Sequence, residues 1–254
     1  MKDHLRQEGK FTYLEKGEGT PIVILHGLMG GLSNFDGVVS HFPENGYKVL
    51  IPELPLYSMS LLKTSVGTFA KYLKEFLDHK GFDKVILLGN SLGGHIALLA
   101  TKMFSESVKA LVITGSSGLY ENAMGESYPR RGDYDFIKKK AEAVFYDPKV
   151  ATKEIVDEVY ETVSDRNKLV KTLAIAKSAI RHNMAKDLPK MQTPTCIIWG
   201  KNDTVTPPEV AEDFQRLLPD SDLYWIDKCG HAAMMEHPEE FNQVLHAWLK
   251  ERAI

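Results

Sequence analysis

The sequence predicts an α/β fold in which helices cover both faces of a parallel sheet. Short, continuous apolar runs, such as the one from Val85 to Leu88, are typical of strands that are buried on both faces. Stretches with apolar residues at helical spacing separate these runs. Alternation of the two patterns indicates strands joined by helical crossovers, which makes neighbouring strands parallel. A chain of 254 residues with 43% hydrophobic content can bury a substantial core, in one large domain or two small ones.

The first half of the chain follows this alternation closely. Residues 11–14 and 21–25 are predicted strands, joined across the Gly17-Glu18-Gly19 turn. The next predicted elements are a strand over 47–51, a helix over 66–79 ended by Gly81, the strand over 85–88 with a helix behind it, and a strand over 110–114.

The alternation breaks after Gly115, because the next clear strand covers residues 195–199. That separation far exceeds the roughly dozen residues of a simple crossover, so we expect an insertion. Its predicted helices cover 134–145, 152–163 with Thr152 as N-cap, and 167–181. After the insertion, residues 195–199 and 223–226 are predicted strands with polar loops behind them, and Pro238 suits the first turn of a last amphipathic helix.

These elements divide the chain into a core and a cap. We expect residues 1–115 and 188–254 to form the α/β core. Residues 116–187 are expected to form a helical cap over the C-terminal edge of the sheet, where open α/β sheets place their ligands. An independent second domain is the alternative, although the predicted helices are too few to enclose a core.

The composition excludes several classes of function. A net charge of −3 argues against a nucleic-acid binder, and the first eight residues lack the apolar region of a signal peptide. No segment approaches the roughly 18 continuous apolar residues that span a bilayer, so a cytoplasmic protein without a membrane partner is expected. Only Cys196 and Cys229 occur, which argues against a disulfide framework.

The turn between the strand over 85–88 and its helix carries the first chemical signal. Gly89-Asn90-Ser91-Leu92-Gly93 fits the G-x-S-x-G nucleophile elbow, in which glycines allow strand and helix to approach closely around an exposed serine. An ordinary glycine-rich turn between a strand and a helix is the alternative.

Three residues at separate strand ends supply the parts of a nucleophilic centre. Ser91, Asp203 and His231 each lie just beyond the C-terminal end of a predicted strand, so one parallel sheet brings them to the same edge. A serine hydroxyl needs a base, and a histidine serves best when an acid holds its tautomer. We therefore predict a catalytic triad in the order Ser, Asp, His, which needs no cofactor.

Asp203 and His231 also have other interpretations. Asp203 lies in Gly-Lys-Asn-Asp, which is turn chemistry, and Asp227 is a rival acid on the histidine's own loop. His231 and His237 suggest a metal site, but their spacing to Glu236 matches neither H-E-x-x-H nor H-x-x-E-H.

The loop His26-Gly27-Leu28-Met29-Gly30-Gly31 follows another predicted strand. It contains neither G-x-G-x-x-G nor G-K-[ST], so a nucleotide site is weakly supported. Backbone N–H groups free of side chains suit an oxyanion loop better.

Together these motifs resemble the α/β-hydrolase superfamily over nearly the whole chain. They are Ser91 in GNSLGG, His26-Gly27 after a strand, Asp203 in GKND and His231 after Cys229-Gly230. The resemblance implies an eight-stranded, mostly parallel sheet with a variable cap. It also implies an oxyanion hole formed by the backbone N–H groups of Leu28 and Leu92.

Within this superfamily the chain is similar to small capped carboxylesterases and to hydrolases that cleave carbon–carbon bonds in ring-opened aromatic products. The D-x-P-G-x-G-x-S stretch common in such enzymes is replaced by residues 53–58. Ala232-Ala233 follows the histidine where the carbon–carbon hydrolases usually have tryptophan. Haloalkane dehalogenases are more distant, because they have aspartate in place of Ser91.

We therefore expect a serine hydrolase that acts on a small, fairly apolar ester. Carbon–carbon bond hydrolysis and a ligand sensor without turnover are the alternatives. The small-molecule substrate would contact cap residues, for which the candidates are Tyr120, Met124, Tyr128, Tyr134 and Phe136, with Arg130-Arg131 or Arg181 for a carboxylate. The sequence leaves the oligomeric state open.

Overall fold

An eight-stranded sheet lies at the centre of the computed structural model, which describes residues 5–120 and 132–254. The strands are β1 (Leu5–Glu8), β2 (Phe11–Lys16), β3 (Thr20–Leu25), β4 (Tyr47–Pro52), β5 (Val85–Asn90), β6 (Val108–Thr114), β7 (Thr195–Gly200) and β8 (Ser221–Ile226). Their spatial order is β1-β2-β4-β3-β5-β6-β7-β8. β2 pairs with both β1 and β4 in antiparallel fashion, and the other five pairs are parallel, which confirms the predicted, mostly parallel fold class.

Helices cover both faces of this sheet. They are α1 (Asp36–His41), α2 (Val66–Lys80), α3 (Leu92–Met103), α4 (Tyr134–Glu142), α5 (Lys153–Ser164), α6 (Arg166–Arg181), α7 (Pro208–Leu217), α8 (Ala233–Glu236) and α9 (Pro238–Glu251). Because successive side chains of a strand point to opposite faces, β5 contributes to both halves of the core. Leu87 packs with α2, α3 and α7, whereas Ile86 and Leu88 pack with α1 and α9.

Local signals fix the ends of the predicted helices. The Ser65 hydroxyl accepts the Thr68 N–H at 3.2 Å and so caps α2, which ends at Gly81 with a φ of 67°. Pro238 begins α9, as expected. No pattern in the sequence predicted β1, α1, α7 or the short α8. All four residues of β1 are exposed, so the strand has no apolar pattern and depends on its pairing with β2.

The predicted helices between β6 and β7 are α4, α5 and α6. Each begins at a side-chain cap, from Asp133, from Thr152 as predicted, and from Asp165. Ile175 and Ala179 of α6 join the main core beside α2, whereas α4 and α5 enclose small apolar clusters of their own. We call residues 116–187 the inserted segment. Met124, Tyr128, Arg130 and Arg131, predicted to contact substrate, lie outside the described residues.

Two further sequence-based expectations concern bilayer spans and cysteines. Across residues 5–120 and 132–254, no helix is both long and apolar enough to cross a bilayer. Cys196 and Cys229 are both buried and free.

Candidate active site

Ser91 lies at the sharp turn between β5 and α3. Its backbone has φ 54° and ψ −120°, which is strained for a residue with a Cβ. Glycine is required around it, because a Cβ at Gly93 would be 2.0 Å from the Leu25 carbonyl oxygen and one at Gly89 would be 2.4 Å from the Gly93 oxygen. The Ser91 N–H donates to the Thr114 carbonyl at 3.2 Å. The turn therefore has the form predicted for a nucleophile elbow.

Asp203 and His231 form a buried pair. Nδ1 of His231 lies 2.9 Å from Oδ2 of Asp203, and both side chains are almost completely shielded from solvent. Because a carboxylate only accepts, Nδ1 carries the proton and Nε2 remains as an acceptor. This is the tautomer that a general base requires.

A tight turn holds the Asp203 carboxylate. Its Oδ1 accepts the backbone N–H groups of Val205 at 2.8 Å and Thr206 at 2.9 Å. The Thr206 hydroxyl donates to Oδ2 at 2.8 Å and lies 3.2 Å from Nδ1 of His231. Since these donors occupy both oxygens, the carboxylate has one orientation toward the imidazole.

Asp227 and His237, which the rival interpretations used, have other partners. Asp227 has a side chain 70% exposed and lies 3.6 Å from Nζ of Lys201. Nε2 of His237 donates to the Lys228 carbonyl at 3.0 Å. In the ranges that the structure describes, no group of three or more His, Cys, Asp or Glu side chains is arranged to hold a metal ion.

Asn90 and Gly115 bring the His231 loop against the elbow. The Asn90 side-chain amide donates to the carbonyls of Thr114 at 3.0 Å and His231 at 3.2 Å. Gly115 has a φ of 51°, and a Cβ there would lie 2.8 Å from Nδ1 of His231. The imidazole thus packs on the backbone that follows β6, the strand that pairs with β5. Ser91, Asp203 and His231 therefore all lie at the carboxyl-terminal edge of the parallel strands.

The loop after β3 lies on the other side of Ser91. A Cβ at Gly27 would be 3.4 Å from Cβ of Ser91. His26 fixes this loop, because its Nδ1 donates to the Gly27 carbonyl at 2.9 Å and its Nε2 accepts the Leu54 N–H at 3.4 Å. Burial lowers the pKa of His26, which keeps the ring neutral as this arrangement requires. Leu28 follows in this loop.

The second predicted donor of the oxyanion hole, Leu92, is the first residue of α3. Helix N-termini carry free N–H groups and favour negative charge. Leu92 directly follows Ser91, and Leu28 follows Gly27, which lies close to Ser91.

The inserted segment is fastened to the loops that carry Asp203 and His231. The Val144 carbonyl accepts the His231 N–H at 2.8 Å, and the Ala143 carbonyl accepts the Thr204 hydroxyl at 3.0 Å. The Glu236 carboxylate accepts the N–H groups of Gly230 and Asp147, each at 2.7 Å. The predicted helix over 134–145 ends at Glu142, and the turn behind it forms these contacts.

Sequence reasoning missed three residues that organise the site, namely Tyr57, Thr206 and Glu236. Asp-x-x-Thr is a recognisable turn in which the aspartate accepts N–H groups two and three residues later, so Thr206 had a signal. Tyr57 and Glu236 contact residues far away in the chain, which leaves no local pattern.

Known proteins resemble this chain over nearly its whole length. A family profile described as alpha/beta hydrolase fold matches residues 20–145 and 160–238. A 2-hydroxy-6-oxo-6-(2'-aminophenyl)hexa-2,4-dienoic acid hydrolase from Metapseudomonas resinovorans is 30% identical, over 95% of this chain and 88% of its own. A 2-hydroxy-6-oxononadienedioate/2-hydroxy-6-oxononatrienedioate hydrolase from Pseudomonas sp. is 28% identical, over 93% of this chain and 90% of its own.

A solved structure agrees with this assignment. It is that of an alpha/beta hydrolase enzyme from the metagenome of sediments of the Mar Chica lagoon in Morocco, with a TM-score of 0.84 and 78% identity. The match covers 99% of this chain and 100% of that one. With the sheet order and the elbow, these matches show that the chain belongs to the alpha/beta hydrolase family.

Proposed function

We propose that this protein is a serine hydrolase that cleaves small, fairly apolar carboxylic esters, with Ser91 as nucleophile and His231 as general base. The 2.9 Å contact between His231 and Asp203, buried at the same sheet edge as Ser91, carries the proposal. The pair supplies a base in the required tautomer, and Ser91 lies on a strained turn at the same edge. Residues 116–187 act as a cap on a core formed by residues 1–115 and 188–254.

The reaction proceeds by acyl transfer. The Ser91 hydroxyl attacks the ester carbonyl while Nε2 of His231 accepts its proton, and the N–H groups of Leu28 and Leu92 receive the oxyanion. The tetrahedral intermediate expels the alcohol, which takes the proton from His231. Water then attacks the acyl-enzyme with His231 again as base, and the carboxylic acid leaves Ser91 free.

Among the described residues, the polar side chains of the loops at the Ser91 edge favour a neutral substrate. Both hydrogens of the Asn90 amide are used on backbone carbonyls, and the Tyr57 hydroxyl donates to the Leu28 carbonyl. Arg181, a sequence candidate for a substrate carboxylate, is exposed and lines a surface groove with Leu62. A charged substrate would therefore gain little from these groups.

Carbon–carbon bond hydrolysis of ring-opened dienoates is the second candidate. It is favoured by the named activities of the two curated relatives, which align over more than nine-tenths of this chain. The same serine, histidine and oxyanion donors would serve a ketone carbonyl in place of an ester. Ala232 after the histidine remains a difference from the tryptophan usual in that group.

Labelling tests the nucleophile. A fluorophosphonate should add one label to the intact protein, detected by mass spectrometry, and Ser91→Ala should take none. Asp203→Asn should lower kcat by about three to four orders of magnitude, whereas the matched control Asp227→Asn, at an exposed site, should keep activity. Labelling of Ser91→Ala, or equal loss in both aspartate variants, would contradict the proposed triad.

Substrate assays separate the candidate functions. Nitrophenyl acetate and butyrate should be hydrolysed with higher kcat/KM than a coloured 2-hydroxy-6-oxo dienoate. The reverse order would support the carbon–carbon hydrolase. A compound that raises Tm strongly and is never consumed would support the ligand sensor.

A further inference from the structure

The outer side of α6 forms an apolar groove with the turn at residues 61–63. The groove encloses about 630 Å³. Leu62 is 99% exposed on this turn, and Leu61 and Val170 are also exposed. We call this surface the α6 patch, which comprises Leu61, Leu62, Val170, Leu173, Lys177 and Arg181. Large apolar side chains grouped at such exposure are typical of an interaction surface.

The charge of this surface differs from that of the whole protein. Helix α6 has five lysine and arginine side chains and no aspartate or glutamate, although the chain carries −3. Among the described residues that line the groove, Lys177 and Arg181 are the charged ones, and neither forms an ion pair with a described residue. The acidic residues Glu154, Asp157, Glu158 and Glu161 are on the neighbouring helix, α5, and do not line the groove. The free positive charge therefore lies beside the exposed leucines.

We propose that the α6 patch docks the protein on an anionic lipid bilayer. Leu61 and Leu62 enter the boundary between headgroups and acyl chains, and Lys177 and Arg181 bind the lipid phosphates. Interfacial anchors combine these two features, because apolar burial and attraction to anionic lipids add. Docking of this kind needs no membrane-spanning helix, so a hydropathy search for spanning segments does not detect it.

Because of its two cations, the α6 patch fits a second copy of this chain less well than it fits an anionic bilayer. A two-fold interface places the same patch on both partners, which would bring Lys177 and Arg181 against their own copies or close to them. Like charges across an interface disfavour association. An anionic surface matches both the leucines and the cations.

Vesicle co-sedimentation of the full chain tests the proposal. With vesicles of phosphatidylcholine and about 30% phosphatidylglycerol, the protein should pellet, and with pure phosphatidylcholine it should not. Lys177→Gln with Arg181→Gln should lower the partition coefficient roughly 25-fold, since each basic group near such a surface contributes about fivefold. Leu62→Ser should lower it as well. High salt should release the protein.

A matched pair of substitutions controls for net charge. Lys84 and Lys190 precede β5 and β7 and so lie at the sheet edge opposite the site, and both are exposed. Lys84→Gln with Lys190→Gln should bind vesicles as the wild type does. Ser91→Ala should also bind, which separates docking from the proposed hydrolase activity.

Three results would overturn the proposal. The first is equal binding to neutral and anionic vesicles, or no binding to either. The second is an equal loss in the Lys84 and Lys190 control. The third is a wild-type dimer in light scattering that Leu62→Ser converts to a monomer, because the patch would then be an interface between copies.

Discussion

The Tyr57 hydroxyl donates a hydrogen bond of 3.2 Å to the carbonyl oxygen of Leu28. The same hydroxyl lies 3.4 Å from Oγ1 of Thr172 on the buried side of α6, and the Lys171 ammonium donates to the Tyr57 carbonyl at 2.6 Å. One side chain therefore joins the predicted oxyanion loop to the inserted segment. It lies in residues 53–58, where the sequence departs from the stretch common in related hydrolases.

Tyr57→Phe should lower kcat by roughly fivefold to tenfold on a nitrophenyl ester, because a lost hydrogen bond of about 1 kcal/mol loosens the loop that carries the Leu28 N–H. KM should change little, and Tm should fall by no more than about 2 to 4 °C, since the ring is retained and only the hydroxyl is lost. Burial raises the pKa of Tyr57, so the hydroxyl stays protonated and the wild-type advantage should persist into the alkaline range. Tyr146→Phe, at an exposed tyrosine, is the control. An equal effect in both variants would contradict this role.

Thr206→Val should lower kcat/KM by about tenfold or more. The substitution removes the hydroxyl that donates to Oδ2 of Asp203. Leaving a buried, charged acceptor without this donor costs about 1 to 3 kcal/mol of free energy. Thr206→Ser keeps the hydroxyl and should restore most of the activity. If serine and valine behave alike in steady-state kinetics, the hydroxyl does not orient the carboxylate.

Ser91→Gly should be more stable than Ser91→Ala by about 1 kcal/mol. Alanine retains the Cβ that makes a φ of 54° unfavourable, whereas glycine adopts this backbone conformation without strain. Glycine also gives the unfolded chain more conformational entropy, which favours unfolding. The relief of backbone strain is expected to be the larger of the two effects on the free energy of unfolding. Urea unfolding of the two inactive variants measures the difference. Equal midpoints would show that the elbow stores no backbone strain.

The elements that the sequence predicted best have strong local patterns. The continuous apolar run of β5 and the capped, amphipathic α2 were found to within two residues. β1 escaped prediction because its four exposed residues form a strand only by pairing with β2. A pairing between distant parts of the chain has no local pattern to detect.

The same limit applies to the candidate site. Ser91, Asp203 and His231 were predicted because each follows a strand, and chain order then places them at one edge. Tyr57 and Glu236 act across the interface with the inserted segment, whose packing on the core depends on side-chain shape. The orientation of Arg181 toward the α6 patch depends on the rotation of one helix, which its sequence does not determine.

Buried histidines should make the protein lose stability below neutral pH. His95 is completely buried one turn after Ser91, and its Nε2 donates to the His182 carbonyl at 2.9 Å. Burial is the main reason that the pKa of the His95 ring falls to about 4, from 6.5 for an exposed ring. The unfolded chain then binds a proton more readily than the folded one. The stabilising effect of the neutral ring is complete above pH 6.5 and is lost as the pH falls toward 4.

The loss should amount to roughly 3 kcal/mol between pH 7.5 and 4, because each pKa unit corresponds to about 1.4 kcal/mol. Urea unfolding at several pH values measures it as the difference between the wild type and His95→Gln, whose amide still donates to the His182 carbonyl but does not titrate. His26 is present in both proteins, so its own lowered pKa cancels in the difference. Parallel stability curves for the two proteins across this range would contradict the prediction. An NMR titration of the His95 ring, assigned by its absence in the variant, should give a midpoint near pH 4 and not near 6.5.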